Sequence, residues 1–363
     1  MYNVPKLMTS LSGVEITTKE QWEKFRRDEV FDLCTNYVYG VRDIERPRDL
    51  YFTVEETTEM YGMTRKTIRA GFGSFSFPFY LYLPMNADTP MPAFIYVMHE
   101  NMESWLGFDD NGNMESNDTK SILPLKYITD RGYAVAVMPT KDIYREWTTH
   151  SEFKVGVFAE VNAVRRKNSW ASISAWAWGV SRVLDYLETD SDIDATRVAS
   201  IGHSRSGKAA LWAAATDERI FLAVPNNSGC MGAALLRCKR GEHAKDINIS
   251  DWFCEKFHDF DDAEEYLPMD QHMVLSLVAP RHLYITGSVL DEWADPDAEL
   301  RAAQLASPVW ELYSKKGIVI EDDSPVLNKT YQNGYIAFHV KEGDHSQTFF
   351  DWENVINYFD KIK

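Results

Sequence analysis

Arg197-Val198-Ala199-Ser200-Ile201-Gly202-His203-Ser204-Arg205-Ser206-Gly207-Lys208 reads as a strand, a tight turn and the start of a helix. Val198 and Ile201 favour a strand and Gly202 ends it. Lys208-Ala209-Ala210-Leu211-Trp212-Ala213-Ala214-Ala215 then offers helix formers without a breaker. Ser204 falls at the bend. A serine on a strained strand-to-helix turn, with small residues on either side, presents its hydroxyl as a nucleophile. The match to G-x-S-x-G is imperfect, because Ser206 stands at the second glycine position and Gly207 comes one place later. So short a pattern carries weight only if the chain also supplies an α/β sheet, an acid and a histidine in that order.

Working outward, Ala93-Phe94-Ile95-Tyr96-Val97-Met98 and Tyr133-Ala134-Val135-Ala136-Val137-Met138 are continuous apolar runs, the pattern of strands buried on both faces. A helix from about Leu123 to Arg131, ended by Gly132, separates them. Trp170, Ile173, Trp176, Val180, Val183 and Leu187 recur at helical spacing behind Ser169, which is placed to cap their helix. That stripe reads as core. Downstream, Phe221 to Val224, His282 to Thr286 and Tyr335 to Val340 read as further strands. Asn226 to Ala279 form a long excursion of short helices. Asp295-Pro296 opens a helix through Leu300, Ala303, Leu305 and Trp310, and the last helix runs from about Gln347 to Lys363.

Upstream of the buried strands, Thr17 or Thr18 opens a helix with Glu20 and Gln21 in capping-box position, and it continues to about Cys34. Segments 51–54, 66–69 and 75–83 then read as antiparallel edge strands. The expected fold is therefore α/β, an α/β-hydrolase: a three-layer α/β/α sandwich with a mostly parallel central sheet and an antiparallel N-terminal edge. No internal repeat or linker divides the chain, so one domain is expected over 1–363, with the catalytic core from about 91. A polar loop is expected from His99 to Lys120, and the long loop from Pro139 to Asn168 is expected to be functional or to wall a cleft.

With 363 residues, 45% of them hydrophobic, the chain can bury a large core. Its 11 Trp, 18 Tyr and 19 Phe also suit a cleft that stacks on sugar rings. A formal net charge of −17 argues against nucleic acid and anionic membrane surfaces, which both require basic patches. No apolar run approaches the roughly 18 residues of a membrane span. Four cysteines are too few for a disulfide scaffold, although Cys230 and Cys254 could be bridged. Without a C-x-x-C pair, neither a zinc site nor another metal or cofactor is expected. Met1 to Ser10 lacks the layout of a signal peptide. A cytoplasmic protein is expected if Met1 is the native start, and a secreted or periplasmic one if a signal peptide has been removed.

In an α/β-hydrolase the acid and the histidine follow the serine in the chain. His345, in Gly343-Asp344-His345-Ser346, lies just past the last strand, whereas His339 lies within it and should pack. An imidazole there can take the serine proton near neutral pH. The acid should follow the His282–Thr286 strand, where Asp291, Glu292, Asp295 and Asp297 are available. Asp295 precedes Pro296 as a helix cap, and Asp297 falls in that helix's first turn. Asp291 has no local duty and is the preferred acid. The backbone N–H of Arg205, at the start of the elbow helix, is the first choice of oxyanion donor. The Arg205 side chain could add charge there, or simply form a surface salt bridge. Lys208, four residues after Ser204, is either a second cation beside the nucleophile or a solvated helix residue.

The elbow Gly202-His203-Ser204-Arg205-Ser206-Gly207-Lys208 resembles that of the bacterial glucuronoyl esterases, carbohydrate esterase family 15. So do Trp176-Ala177-Trp178-Gly179, Asn226-Asn227-Ser228-Gly229-Cys230, Arg240-Gly241-Glu242, Trp252-Phe253-Cys254, Leu267-Pro268-Met269-Asp270-Gln271-His272-Met273 and Trp293-Ala294-Asp295-Pro296. The likeness is dense from about Trp170 to Trp310. It implies a metal-free serine esterase that cleaves the ester between 4-O-methyl-glucuronic acid on xylan and lignin alcohols. Its partner would be a glucuronate-containing saccharide ester. Carried over by position, Ser204 matches the nucleophile, His345 the base, Asp291 the acid of bacterial members and Arg205 the oxyanion-side arginine. Lys208, Glu242 and Trp293 match sugar-contacting positions. Some members carry a glutamate in the loop after the strand that follows the elbow helix. Asn227 stands at about that place here, which leaves Asp291 as the acid. An acetyl-sugar esterase and a non-catalytic carbohydrate-binding relative are the alternatives, since fold alone does not fix function.

Overall fold

The computed structural model describes the chain except residues 1–2, 86–89, 100–121, 147–152, 162–163, 238–239, 248–250, 323 and 363. The polar loop expected at 99–120 apart from His99, part of the 139–168 loop and Cys238 thus lie outside the described residues.

The fold follows from strands that alternate their side chains between two cores. In β4 (Met91–Met98), Ala93, Ile95 and Val97 enter one cluster, while Phe94, Tyr96 and Met98 enter the other. The larger cluster lies under the helices Ser172–Leu187, Arg205–Thr216 and Pro296–Leu312. The smaller lies under Leu125–Asp130 and Phe349–Ile362, where Phe94 meets Trp352 and Phe359 edge-on at 5.4 Å each.

The remaining strands are β1 (Tyr51–Met60), β2 (Met63–Phe72), β3 (Phe75–Pro84), β5 (Ala134–Pro139), β6 (Ile193–His203), β7 (Leu222–Asn226), β8 (His282–Ser288), β9 (Thr330–Tyr331) and β10 (Ile336–Lys341). They form one sheet in the order β1-β2-β3-β5-β4-β6-β7-β8-β10-β9. Strands β5, β4, β6, β7, β8 and β10 are mutually parallel, and β1, β2 and β3 extend them antiparallel at the N-terminal edge. This is the expected α/β-hydrolase architecture. Its consequence is positional: β6, β7, β8 and β10 all end on the same side of the sheet, so Ser204, Asn227, Asp291 and His345 emerge there. The crevice outside the carboxyl ends of parallel strands is where such sheets bind ligands.

Two local expectations need correction. Ser169 does not cap the buried helix, because its hydroxyl accepts the Arg166 N–H at 2.9 Å; the helix begins at Ser172 with Ala171 at the cap position. Cys230 and Cys254 are not bridged: both are buried free thiols, as is Cys34. Thr18 does cap the first helix, in a reciprocal box with Gln21. Among the described residues, no helix is long and apolar enough to cross a membrane.

Candidate active site

Ser204 adopts φ 57° and ψ −128°, between the end of β6 and the helix Arg205–Thr216. A non-glycine residue in this region is strained, and such strain is characteristic of a nucleophile elbow. Small neighbours make it possible. A Cβ on Gly202 would lie 2.4 Å from the Ser206 carbonyl oxygen, and one on Gly207 would lie 2.9 Å from that of Gly202. Ser206 is fully buried, and its hydroxyl bonds His99 Nδ1 at 2.8 Å. The departure from glycine at this position thus ties the elbow to the end of β4. Arg205 is the first residue of the elbow helix, so its N–H belongs to the set that has no acceptor within the helix.

His345 Nδ1 lies 2.7 Å from Asp291 Oδ2. Asp291 is almost fully buried while His345 remains partly open. The same Asp291 oxygen accepts Asn227 Nδ2 at 2.7 Å, and Oδ1 accepts the Ala294 N–H at 3.1 Å. Burial alone would raise the Asp291 carboxyl, but the bonds from His345 and Asn227 hold it below the usual carboxylate range. The His345 ring lies 4.6 Å, centroid to centroid, from that of His203, the residue before Ser204. His203 is bonded to Asn226, and burial pushes its imidazole down to about 4. Burial also holds His99 well below the ordinary histidine value, helped by the Arg205 charge. Of these three imidazoles, His345 is the one coupled to Asp291.

The other acids past β8 are occupied elsewhere. Asp295 caps the following helix through the Ala298 N–H at 3.1 Å and also accepts the Arg240 N–H at 2.6 Å. Asp297 pairs with the Arg240 guanidinium at 2.5 Å, and Glu292 is exposed. Lys208 is neither solvated nor a bare cation. It is buried, and its ammonium donates to the carbonyls of Ser228 at 2.7 Å and Cys230 at 2.6 Å and to Glu242 at 3.4 Å. The other Glu242 oxygen accepts the Trp293 indole N–H at 3.0 Å. Lys208, Glu242 and Trp293 therefore form one connected group, with Trp293 half exposed at 53%. Arg205 pairs with Glu146 at 3.2 Å, and Glu146 also accepts the Trp252 indole N–H at 3.1 Å.

The model of the fungal glucuronyl esterase family matches residues 67–314. The carbohydrate esterase MZ0003, from an unknown prokaryotic organism, is 34% identical over 99% of this chain and 89% of its own. The chain belongs to the glucuronoyl esterase family. Solved structures agree: the glucuronoyl esterase from Solibacter usitatus superposes with a TM-score of 0.90 at 31% identity, covering 99% of this chain and 98% of that one. A promiscuous family 15 esterase from a marine bacterial metagenome gives 0.85 at 33% identity, covering 99% and 97%. Membership in the glucuronoyl esterases makes this protein a carboxylic-ester hydrolase of the class that cleaves uronate esters.

Sequence reasoning missed the groups that brace this glucuronoyl esterase site from below. Lys341, at the end of β10, is buried and donates to Ser288 Oγ at 2.7 Å and the Ser346 carbonyl at 2.8 Å. It lies 3.2 Å from Asp351, which also holds His339 at 2.9 Å. Alternation along β10 was the available signal, since His339 and Lys341 share a face. Glu146 carried no such signal, because only the fold brings it to Arg205.

Proposed function

We propose that the protein hydrolyses esters of glucuronate-bearing saccharides, of the lignin–carbohydrate type, through an acyl-enzyme on Ser204. The observation that carries the reading is the 2.7 Å bond between His345 and a buried Asp291 on loops beside the strained Ser204 elbow. The Ser204 oxygen attacks the ester carbonyl carbon as His345 takes its proton. The negative charge that develops on the carbonyl oxygen is met by the Arg205 backbone N–H. His345 then gives the proton to the departing alcohol. Water, deprotonated by the same imidazole, releases the uronic acid and restores Ser204. Asp291 keeps the imidazole in the tautomer whose far nitrogen is unprotonated and stabilises the imidazolium. Glu242 and Trp293 contact the sugar, with the open indole face stacking on the ring, and Lys208 holds the Glu242 carboxylate in place.

Alcohol release from methyl or benzyl glucuronate tests this directly. The parent protein turns the ester over, and Ser204→Ala loses roughly 10⁶-fold in kcat, as removing a triad serine does elsewhere. A Ser204→Ala protein as active as the parent would remove Ser204 from the mechanism. Acetate release from an acetylated sugar, with no action on the uronate ester, would point instead to an acetyl-sugar esterase.

A further inference from the structure

Residues 227–231 form an unusual turn: Asn227, Gly229 and Met231 all have positive φ, at 43°, 56° and 53°. Two buried side chains grip it from opposite sides. From the elbow helix, the Lys208 ammonium holds the carbonyls of Ser228 and Cys230. From the helix Pro296–Leu312, Glu299 Oε1 accepts the Gly229 N–H at 3.0 Å and the Ser228 hydroxyl at 3.3 Å. The residue at the head of this turn is Asn227, whose amide holds Asp291.

We propose that Glu299 is a positioning residue for ester cleavage: it fixes the 227–231 turn so that Asn227 keeps Asp291 aligned on His345. The inference rests on Asp291 and His345 acting as proposed above. The surroundings of Glu299 also specify its charge. The side chain is fully buried, and Oε2 has no hydrogen-bond partner. Gly287 in β8 leaves it space, since a Cβ there would lie 3.2 Å from Oε2. A carboxylate with one oxygen desolvated and unmatched is costly, whereas the neutral acid is far less so. The groups that face it are Asp291 from the acid loop, Lys208 from the elbow helix, Ser228 and Gly229 from the turn, and Asp295, whose carbonyl takes the Glu299 N–H. Burial pushes the carboxyl up to about 8; the Asp291 charge adds to this, while the Gly229 N–H, Ser228 and Lys208 oppose it. Ionisation would set a second negative charge against Asp291 and so work against its alignment on His345, even though Gly229 and Ser228 bond a carboxylate more strongly than a neutral acid.

The sign of the pH effect follows. Between about pH 4.5 and 8 the unfolded chain ionises at Glu299 while the folded one does not, so stability falls as pH rises through that window. Glu299→Gln removes this dependence and keeps the acceptor oxygen. The test compares parent, Glu299→Gln and Glu299→Leu on a methyl glucuronate ester from pH 5 to 9, with melting temperatures over the same range. Glu299→Gln is expected to keep at least half of kcat at pH 6.5 and to lose the alkaline fall in kcat that the parent shows near pH 8. Its melting temperature should rise relative to the parent by roughly 5 °C or more between pH 5 and pH 8. Glu299→Leu, if it folds, should lose at least tenfold in kcat with KM within twofold. An unchanged alkaline limb in Glu299→Gln, a constant melting difference, or parental kcat in Glu299→Leu would each overturn the inference. The melting arm does not depend on the triad, and Ser204→Ala tests the triad without Glu299, so the two failures are separable.

Discussion

At the Ser204 elbow, strand and helix meet through small atoms. Gly202 and Gly207 leave less room than a methyl group needs, and Ser204 is held at φ 57° by the backbone around it. Across the site, Asp291 and His345 are held by buried polar and charged groups from four separate segments. Asn227 bonds Asp291, and Lys341 bonds Ser288 and Ser346 and pairs with Asp351. The backbones of the two loops are also joined, by Val289 N–H to the Lys341 carbonyl at 2.9 Å and Leu290 N–H to that of Gly343 at 3.0 Å. The difference teaches where each side is vulnerable. The elbow fails when an atom is added, and the acid side fails when a charge or hydrogen bond is removed.

Apart from removing Ser204 itself, the largest expected effect is on the acid side. Asp291→Asn keeps the shape but replaces an acceptor with an amide that can donate to His345 Nδ1, favouring the wrong tautomer. A loss of roughly 10⁴ in kcat is expected on a methyl glucuronate ester, with a lower melting temperature because the amide cannot accept all three bonds that Asp291 accepts. A loss below tenfold would mean that another carboxylate serves the imidazole.

This contrast also explains what could be read from the sequence. The elbow is local: strand, bend and helix lie within twelve residues, and its residue types show the turn. Asp295 was equally legible, because a cap followed by proline is a local pattern, and setting it aside favours Asp291 among the acids of that loop. The acid-side bracing was not legible. Asn227 and Asp291 are 64 residues apart and Lys341 and Asn227 are 114 apart, so only the parallel order of β7, β8 and β10 brings them together. Of the two readings of Lys208, its burial removes the solvated one, for the same reason. Helical spacing places it on the Ser204 face, but the carbonyls that accept its ammonium belong to the turn after β7. Ser169 failed through competition, since its hydroxyl closes a turn with Arg166 instead of capping the helix.

A smaller effect should follow from breaking the buried pair beneath His345. Lys341→Met leaves Asp351 without its cation, and removing one partner of a buried pair costs about 3–5 kcal/mol. The pH dependence has a definite sign. Asp351 is held below the ordinary range by His339 and Lys341 although burial pushes it upward, and Asp291 is likewise depressed. Depressed carboxylates contribute stability that is present above about pH 4 and lost as pH falls through their folded values. The penalty of Lys341→Met, measured by urea unfolding, should therefore be full at pH 7 and shrink below about pH 4. A penalty independent of pH would show that packing of the lysine stem, not its charge, braces the loop.

Gly207→Ala tests the elbow by the opposite operation, with the smallest expected effect. Gly207 lies within the helix Arg205–Thr216, where alanine is favoured over glycine by about 1 kcal/mol on propensity alone. Against this, the new methyl would lie 2.9 Å from the Gly202 carbonyl oxygen, 3.1 Å from Ser228 Cβ and 3.2 Å from the Asn226 carbonyl oxygen. Two of these neighbours are backbone atoms at the ends of β6 and β7, which cannot swing aside as a side chain would. Overpacking of this kind costs about 1–3 kcal/mol, so a net destabilisation of up to about 2 kcal/mol is expected. Because the displaced backbone carries Ser204 on one side and Asn227 on the other, kcat should fall with stability. A Gly207→Ala protein more stable than the parent and fully active would mean that strand and helix at the elbow can separate without cost. Ser204 would then be held, like Asp291, by polar partners and not by close packing.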